Sequence, residues 1–319
     1  METLGYENAI LALIEFLTQV RHKLNGLSSK KITTLPIVEG PVIESKSKLM
    51  EIIDTTLLKC YLLNKSGSLV ASLLRLKENQ CHLEETERTL KKNKKFSELI
   101  ILYNTRGLHR KALTLMKDHF DREDSPLKDH SKMVDYLQNL TAENIDIICE
   151  FASHVFARSE KDGLDIFTDD LMEVEGWPRG KILDFLVKKH KSAVVPYLEH
   201  VVSVWGESGA LFHNALLLQY KDIVVDLLDK PLNDEEQHLL EFTKQKLKEL
   251  LSSSTFYTAE TVLSQFPTNC LFEERALLLG SLGRHMEALA IYLYQVSTFK
   301  HTLVTQDNTI TCCRNSSTD

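Results

Sequence analysis

Aliphatic residues recur every three or four positions along almost the whole chain, and sustained strand-like alternation is hard to find. The first stripe runs from Asn8 to Leu24, where Ile10, Leu13, Ile14, Leu17, Val20 and Leu24 share one broad helical face. Asn25 to Ser47 breaks the pattern with Gly26, Pro36, Gly40 and Pro41 and reads as a linker outside the packed body. Helical spacing returns from Lys48 to Leu63, with Leu49, Ile52, Ile53, Thr56, Leu57 and Tyr61 on the apolar side. From there to about Val296, turn signals divide the chain into roughly fifteen short helices. Pro178 suits the first turn of a helix, and Pro196, inside an apolar run, begins a helix or kinks one. Beyond Tyr294 the periodicity stops in favour of Thr, Ser and Asn, the composition of a disordered tail.

Within this pattern one segment is repeated. Glu98-Leu-Ile-Ile-Leu-Tyr-Asn-Thr-Arg-Gly107-Leu-His-Arg-Lys-Ala112 returns in outline as Glu274-Arg-Ala-Leu-Leu-Leu-Gly-Ser-Leu-Gly283-Arg-His-Met-Glu-Ala288. Each copy reads as helix, tight glycine turn, helix, with a small residue one turn into the second helix. A further copy of the second half begins at Gly163. A small residue there lets two helices approach closely enough for ridges to enter grooves. Gly107, Ala112, Gly163, Gly283 and Ala288 are therefore expected to be packing positions. A helix pair of this size cannot bury its apolar faces alone and must stack on neighbours. The fold class expected is all-α, an α-solenoid of stacked helical hairpins. Its parts are a first helix over 1–24, the linker over 25–47, the solenoid proper over 48–296 and the tail over 297–319.

Composition narrows the function classes. The chain has 319 residues, 43% hydrophobic and 26% charged, with only 12 Gly and 7 Pro, in keeping with long uninterrupted elements. A net charge of -7 argues against a nucleic-acid partner. No apolar run is long enough to cross a bilayer, and the Met1 end lacks a basic signal-peptide region, so residence on the cytoplasmic side is expected. Six cysteines form no C-x-x-C pair and are expected to be reduced.

Candidate chemistry is sparse. Twelve histidines suggest metal binding, but Cys81-His82 with Cys60 lacks a second ligand pair, so neither metal nor cofactor is expected. No phosphate-binding, dinucleotide, zincin or nucleophile-elbow motif is present, and acidic pairs such as Asp169-Asp170 and Glu273-Glu274 suit helix starts better than acid–base catalysis. A non-enzymatic role follows. The basic cluster Lys91, Lys92, Lys94, Lys95 reads as a solvated turn; the alternative is attraction to anionic lipid or an acidic partner. Trp177 and Trp205 are the tryptophans that an interface would use, with core packing as the alternative.

Several segments together closely resemble a known family. They are Ile52-Ile-Asp-Thr-Thr-Leu-Leu-Lys-Cys-Tyr61, Cys81-His-Leu-Glu-Glu-Thr-Glu, the segment from Glu98 to Met116, Asp162-Gly-Leu-Asp-Ile-Phe-Thr168 and Pro196-Tyr-Leu-Glu-His200. The family is that of the Vam-six-like subunits of the HOPS tethering complex, and the resemblance covers about Ala9 to Tyr294. A sister family associated with the transforming-growth-factor-β receptor fits these motifs less well.

The resemblance implies a clathrin-heavy-chain-repeat α-solenoid acting as a scaffold in vesicle-mediated transport and in late-endosome, lysosome and autophagosome fusion. It implies other tether subunits and a late-endosomal Rab GTPase as partners, with peripheral membrane association through the complex. The family's N-terminal propeller and C-terminal zinc-binding segment have no counterpart here, so a truncated or alternatively spliced product is expected. The alternative function is a short adaptor that competes for a receptor or a sister tether.

Overall fold

The computed structural model describes residues 2–26, 46–120 and 131–294, and among them there is no strand. The expected linker over 25–47 lies outside the described residues apart from its two edges, and the expected tail over 297–319 lies outside them entirely. Contacts group the chain into two units, one ending at Asp162 and one beginning at Gly163.

In the first unit the helices are α1 (Glu2–Gly26), α2 (Lys46–Leu63), α3 (Gly67–Arg75), α4 (Leu83–Lys92), α5 (Phe96–Thr105), α6 (His109–Phe120), α7 (Ser131–Gln138) and α8 (Ile145–Phe156). Their main contacts are local in sequence. α1 packs on α2, α2 on α3 and α4, α3 and α4 on α5, α5 on α6, and α6 and α7 on α8. From α3 to α8 the helices are only 8 to 12 residues long, so each meets its apolar requirement on the next one or two helices along the chain. Leu58, Leu74, Leu90, Leu99, Leu102, Leu113, Met133 and Ile148 form the fully enclosed centre of this packing.

Two faces differ from the sequence pattern. α1 buries Ile10 and Leu24 but leaves Leu13 exposed, along with Tyr6, Leu11 and Phe16. In α2, Ile52 is 49% exposed while Asp54 and Thr55 are buried. The reason is crowding: α2 is flanked by α1, α3 and α4, so it buries more than one stripe. Asp54 accepts from Arg21 Nε at 2.7 Å and from the Gln80 amide at 2.9 Å. Thr55 Oγ1 accepts from the His82 amide at 2.9 Å. These polar side chains supply partners for the Gln80 and His82 amides where the irregular 76–82 connection turns inward at Asn79 and Cys81.

α9 (Glu160–Thr168) straddles the division. The second unit continues with α10 (Met172–Glu175), α11 (Arg179–Lys189), α12 (Val194–Glu199), α13 (Ala210–Leu228), α14 (Asp234–Ser253), α15 (Ala259–Ser264), α16 (Phe272–Ser281) and α17, residues 285–294. α13 and α14 form its long antiparallel pair, and α15 and α16 pack on α13, α14 and each other. Asn233 and Glu236 start α14 with a reciprocal capping box, which satisfies two amides that would otherwise lack partners.

Pro196 is the third residue of α12, a position whose amide has no helical acceptor in any case, so it starts the helix without breaking it. The helix then widens into a π turn over His200–Val204, which no sequence signal announced. Pro178 caps α11 and precedes its first turn by one residue.

Candidate docking surfaces

Helix ends, not a catalytic cleft, carry the recurring geometry. At Gly107 the amide donates to Asn104 at 3.0 Å and the Leu108 amide donates back to Tyr103 at 2.8 Å. At Gly283 the corresponding bonds run to Gly280 at 3.0 Å and from Arg284 to Leu279 at 2.9 Å. Both glycines have positive φ, 67° and 72°, so this is the Schellman end that satisfies the last helical carbonyls.

Two further copies exist that do not use glycine. Lys65, at φ 55°, donates to Leu62 at 3.1 Å while Ser66 donates to Tyr61 at 2.9 Å. Lys94, at φ 54°, donates to Lys91 at 3.1 Å while Lys95 donates to Leu90 at 2.9 Å. After every one of the four turns, the fourth residue of the next helix is buried: Val70, Leu99, Ala112 and Ala288. In each, its amide makes the first four-residue bond of that helix. Gly163 sits at the same fourth position of α9 and is also buried. Side-chain size at this position therefore varies from glycine to leucine, and its common property is burial.

The aromatic candidates separate. Trp177 is 2% exposed and meets Phe167 edge-on at 6.1 Å, so it offers no surface to a partner. Trp205 is half-buried, stacks under the Arg179 guanidinium at 5.0 Å and lies edge-on to His200 at 4.7 Å. Glu207 pairs with Arg179. Burial pushes the Glu207 carboxyl up, but the Gly209 amide and Arg179 more than offset this and hold it below the usual carboxylate range. Close by in the same unit, Glu199 accepts from Tyr220 at 2.6 Å and from Lys246 at 2.8 Å, and the three line an open groove with His200, Val204 and Leu250.

The basic cluster is partly neutralised. Lys91 pairs with Glu87 at 2.6 Å and Lys95 with Glu98 at 3.9 Å, whereas Lys92 and Lys94 have no carboxylate partner among the described residues. Lys65, absent from the sequence reading, lies in the neighbouring turn and is likewise without one. The two turns adjoin: the Lys95 ammonium comes within 3.5 Å of where a Cβ on Gly67 would stand.

Two of the thiols are inert by placement. Cys60 and Cys81 are buried, and burial raises the Cys81 thiol to about 12, far from the thiolate a nucleophile or metal ligand needs. Among the described residues no group of His, Cys, Asp and Glu could hold a metal ion, and no helix is long and apolar enough to cross a membrane.

Comparison with known proteins matches these elements. A family model described as vacuolar sorting protein 39 domain 1 matches residues 53–156, which include three of the four turns. The Vam6/Vps39-like protein of Homo sapiens is 46% identical over 305 residues, covering 90% of this chain and 34% of that protein. The vacuolar protein sorting-associated protein 39 homolog of Drosophila melanogaster is 46% identical over 295 residues, 92% of this chain and 32% of its own. A transforming growth factor-beta receptor-associated protein 1 homolog from Danio rerio is 31% identical over 255 residues, 77% of this chain and 28% of its own. The chain thus spans about a third of the length of these relatives. No solved structure matches.

Proposed function

The chain belongs, over the nine tenths of its length that align, to the Vam6/Vps39-like family, and on that premise we propose that it is a helical scaffold segment of a HOPS-type tethering subunit. In this reading it acts without catalysis, in vesicle-mediated transport toward the vacuole or lysosome. Within each unit its helices stack on their sequence neighbours and present surface to partners. Other subunits of the tether are its partners, and through them it sits peripherally on late-endosomal and lysosomal membranes.

The observation that carries the reading is the fourfold recurrence of one helix-ending turn followed by a buried fourth residue. Such repetition serves extension and surface presentation, since each added pair needs only its neighbours. The aligned Vam6/Vps39-like and vacuolar protein sorting-associated relatives support the setting.

The test is a binding titration of the purified chain against isolated tether subunits and a GTP-loaded late-endosomal Rab at physiological salt. Saturable binding to a tether subunit is expected. A folded, monodisperse chain that binds none of them overturns the docking part of the reading.

A further inference from the structure

We propose that the edge of the first unit formed by the α2–α3 and α4–α5 turns, bearing Lys65, Lys92 and Lys94, contacts an anionic lipid surface directly. The inference goes beyond the scaffold reading, because it needs no partner subunit to reach the membrane.

Two of the four equivalent turns hold glycine at the left-handed position and two hold lysine, Lys65 at φ 55° and Lys94 at φ 54°. An L side chain is disfavoured in this conformation, and glycine would satisfy both turns at no steric cost. A residue kept in a disfavoured conformation points to a use for its side chain. The helix dipole explains lysines in the last turn of α4, as at Lys91 and Lys92. It does not explain why lysine replaces glycine one step beyond the end.

The two turns lie on the same edge, since the Lys95 ammonium reaches to within 3.5 Å of a Cβ position on Gly67. Five lysines gather there against the two carboxylates Glu87 and Glu98. One of those carboxylates, Glu87, also pairs with Lys111 at 3.5 Å. This local excess stands in a chain whose net charge is -7, so it does not follow from overall composition.

The chemistry of the edge favours a lipid surface over an acidic peptide. Leu63 and Leu69, each within a turn of Lys65, are 58% and 45% exposed. Leucines beside unpaired lysines suit the headgroup–acyl boundary, with the apolar side chain entering and the ammonium groups meeting phosphate and carboxylate. Lysine is a compact point charge without the planar fork that fixes a peptide carboxylate bidentately, and no arginine lies in either turn.

The test is co-sedimentation of the chain with vesicles of phosphatidylcholine alone or doped with phosphatidylserine, at low and physiological salt. Salt-sensitive binding to the doped vesicles is expected. Each lysine removed should weaken the partition about fivefold, so Lys65→Gly with Lys94→Gly should lose about 25-fold. These substitutions relieve the backbone, so the variant is expected to fold, with circular dichroism that matches the parent. Replacing both by arginine should retain binding. Binding by the double glycine variant equal to the parent's overturns the proposal. So does equal binding to both vesicle types, or capture of soluble poly-glutamate with no vesicle binding.

Discussion

Lys94 occupies at φ 54° the position that Gly283 fills at φ 72° in a turn with the same pair of backbone hydrogen bonds. Left-handed backbone costs an L residue about 1–2 kcal/mol, and glycine gives back roughly half of that through its freer unfolded chain. Lys94→Gly should therefore stabilise the fold by about 0.5–1 kcal/mol, and Lys65→Gly by a similar amount. Urea denaturation read by circular dichroism measures it. A loss of stability would mean that the lysine side chain holds the turn in place.

Ala112 is fully buried at the start of α6, and Ala288 is nearly so in α17, where it packs with Ala276 and Leu279. Ala112→Glu should cost about 3 kcal/mol or more, because a carboxylate there has no room and no partner. Ala290→Glu, at an exposed position of α17, should change stability by less than about 0.5 kcal/mol. Melting curves of the two variants, run side by side, separate burial from mere helix propensity.

The all-α class was legible because aliphatic spacing stays helical throughout and the turns at Gly107 and Gly283 are marked by glycine. The lysine turns were half legible: Asn64 and Asn93 flag them, and both asparagines stand at the residue ending the helix. What sequence could not signal is that Lys65 and Lys94 take positive φ, since lysine has no preference for it. The same blindness hid Leu271, which takes φ 53° before α16. Burial of Asp54 was hidden for another reason. Its partners, Arg21 and the Gln80 amide, lie 33 and 26 residues away, and an apolar-periodicity argument does not consult them. Trp177 illustrates the limit for surfaces: composition supplies an aromatic, and only packing on Phe167 decides that it faces inward.

The Arg21–Asp54 pair fastens α1 to α2 with Asp54 fully enclosed. Removing one partner strands the other charge, so Asp54→Ala should cost about 3–5 kcal/mol and increase amide exchange at Gln80. The paired change Arg21→Met with Asp54→Leu should recover most of the loss. Exchange mass spectrometry of the three chains checks both statements.

His109 sits at the start of α6 with Nδ1 at 3.0 Å from the Tyr136 hydroxyl, and burial lowers its pKa below the ordinary histidine value. The folded state therefore binds its proton less readily than the unfolded chain does. Stability should fall as pH drops from the ordinary imidazole value of about 6.5 toward the lower folded value. His109→Gln should flatten that part of the profile. Glu207, held below the usual carboxylate range, contributes in the same direction at lower pH: its stabilisation is present above the ordinary glutamate value and is lost as pH falls through the depressed folded one.

One helix-ending turn recurs four times among the described residues and sets the start of the helix that follows each copy. Residue-resolved hydrogen exchange of the amides of Ser66, Lys95, Leu108 and Arg284 tests it most directly, since each donates across its turn to a carbonyl five residues back. All four should be protected well beyond the rate of an unstructured peptide. Exchange at the free-peptide rate at Ser66 and Lys95, with protection confined to Leu108 and Arg284, would contradict the account by showing that only the glycine turns exist.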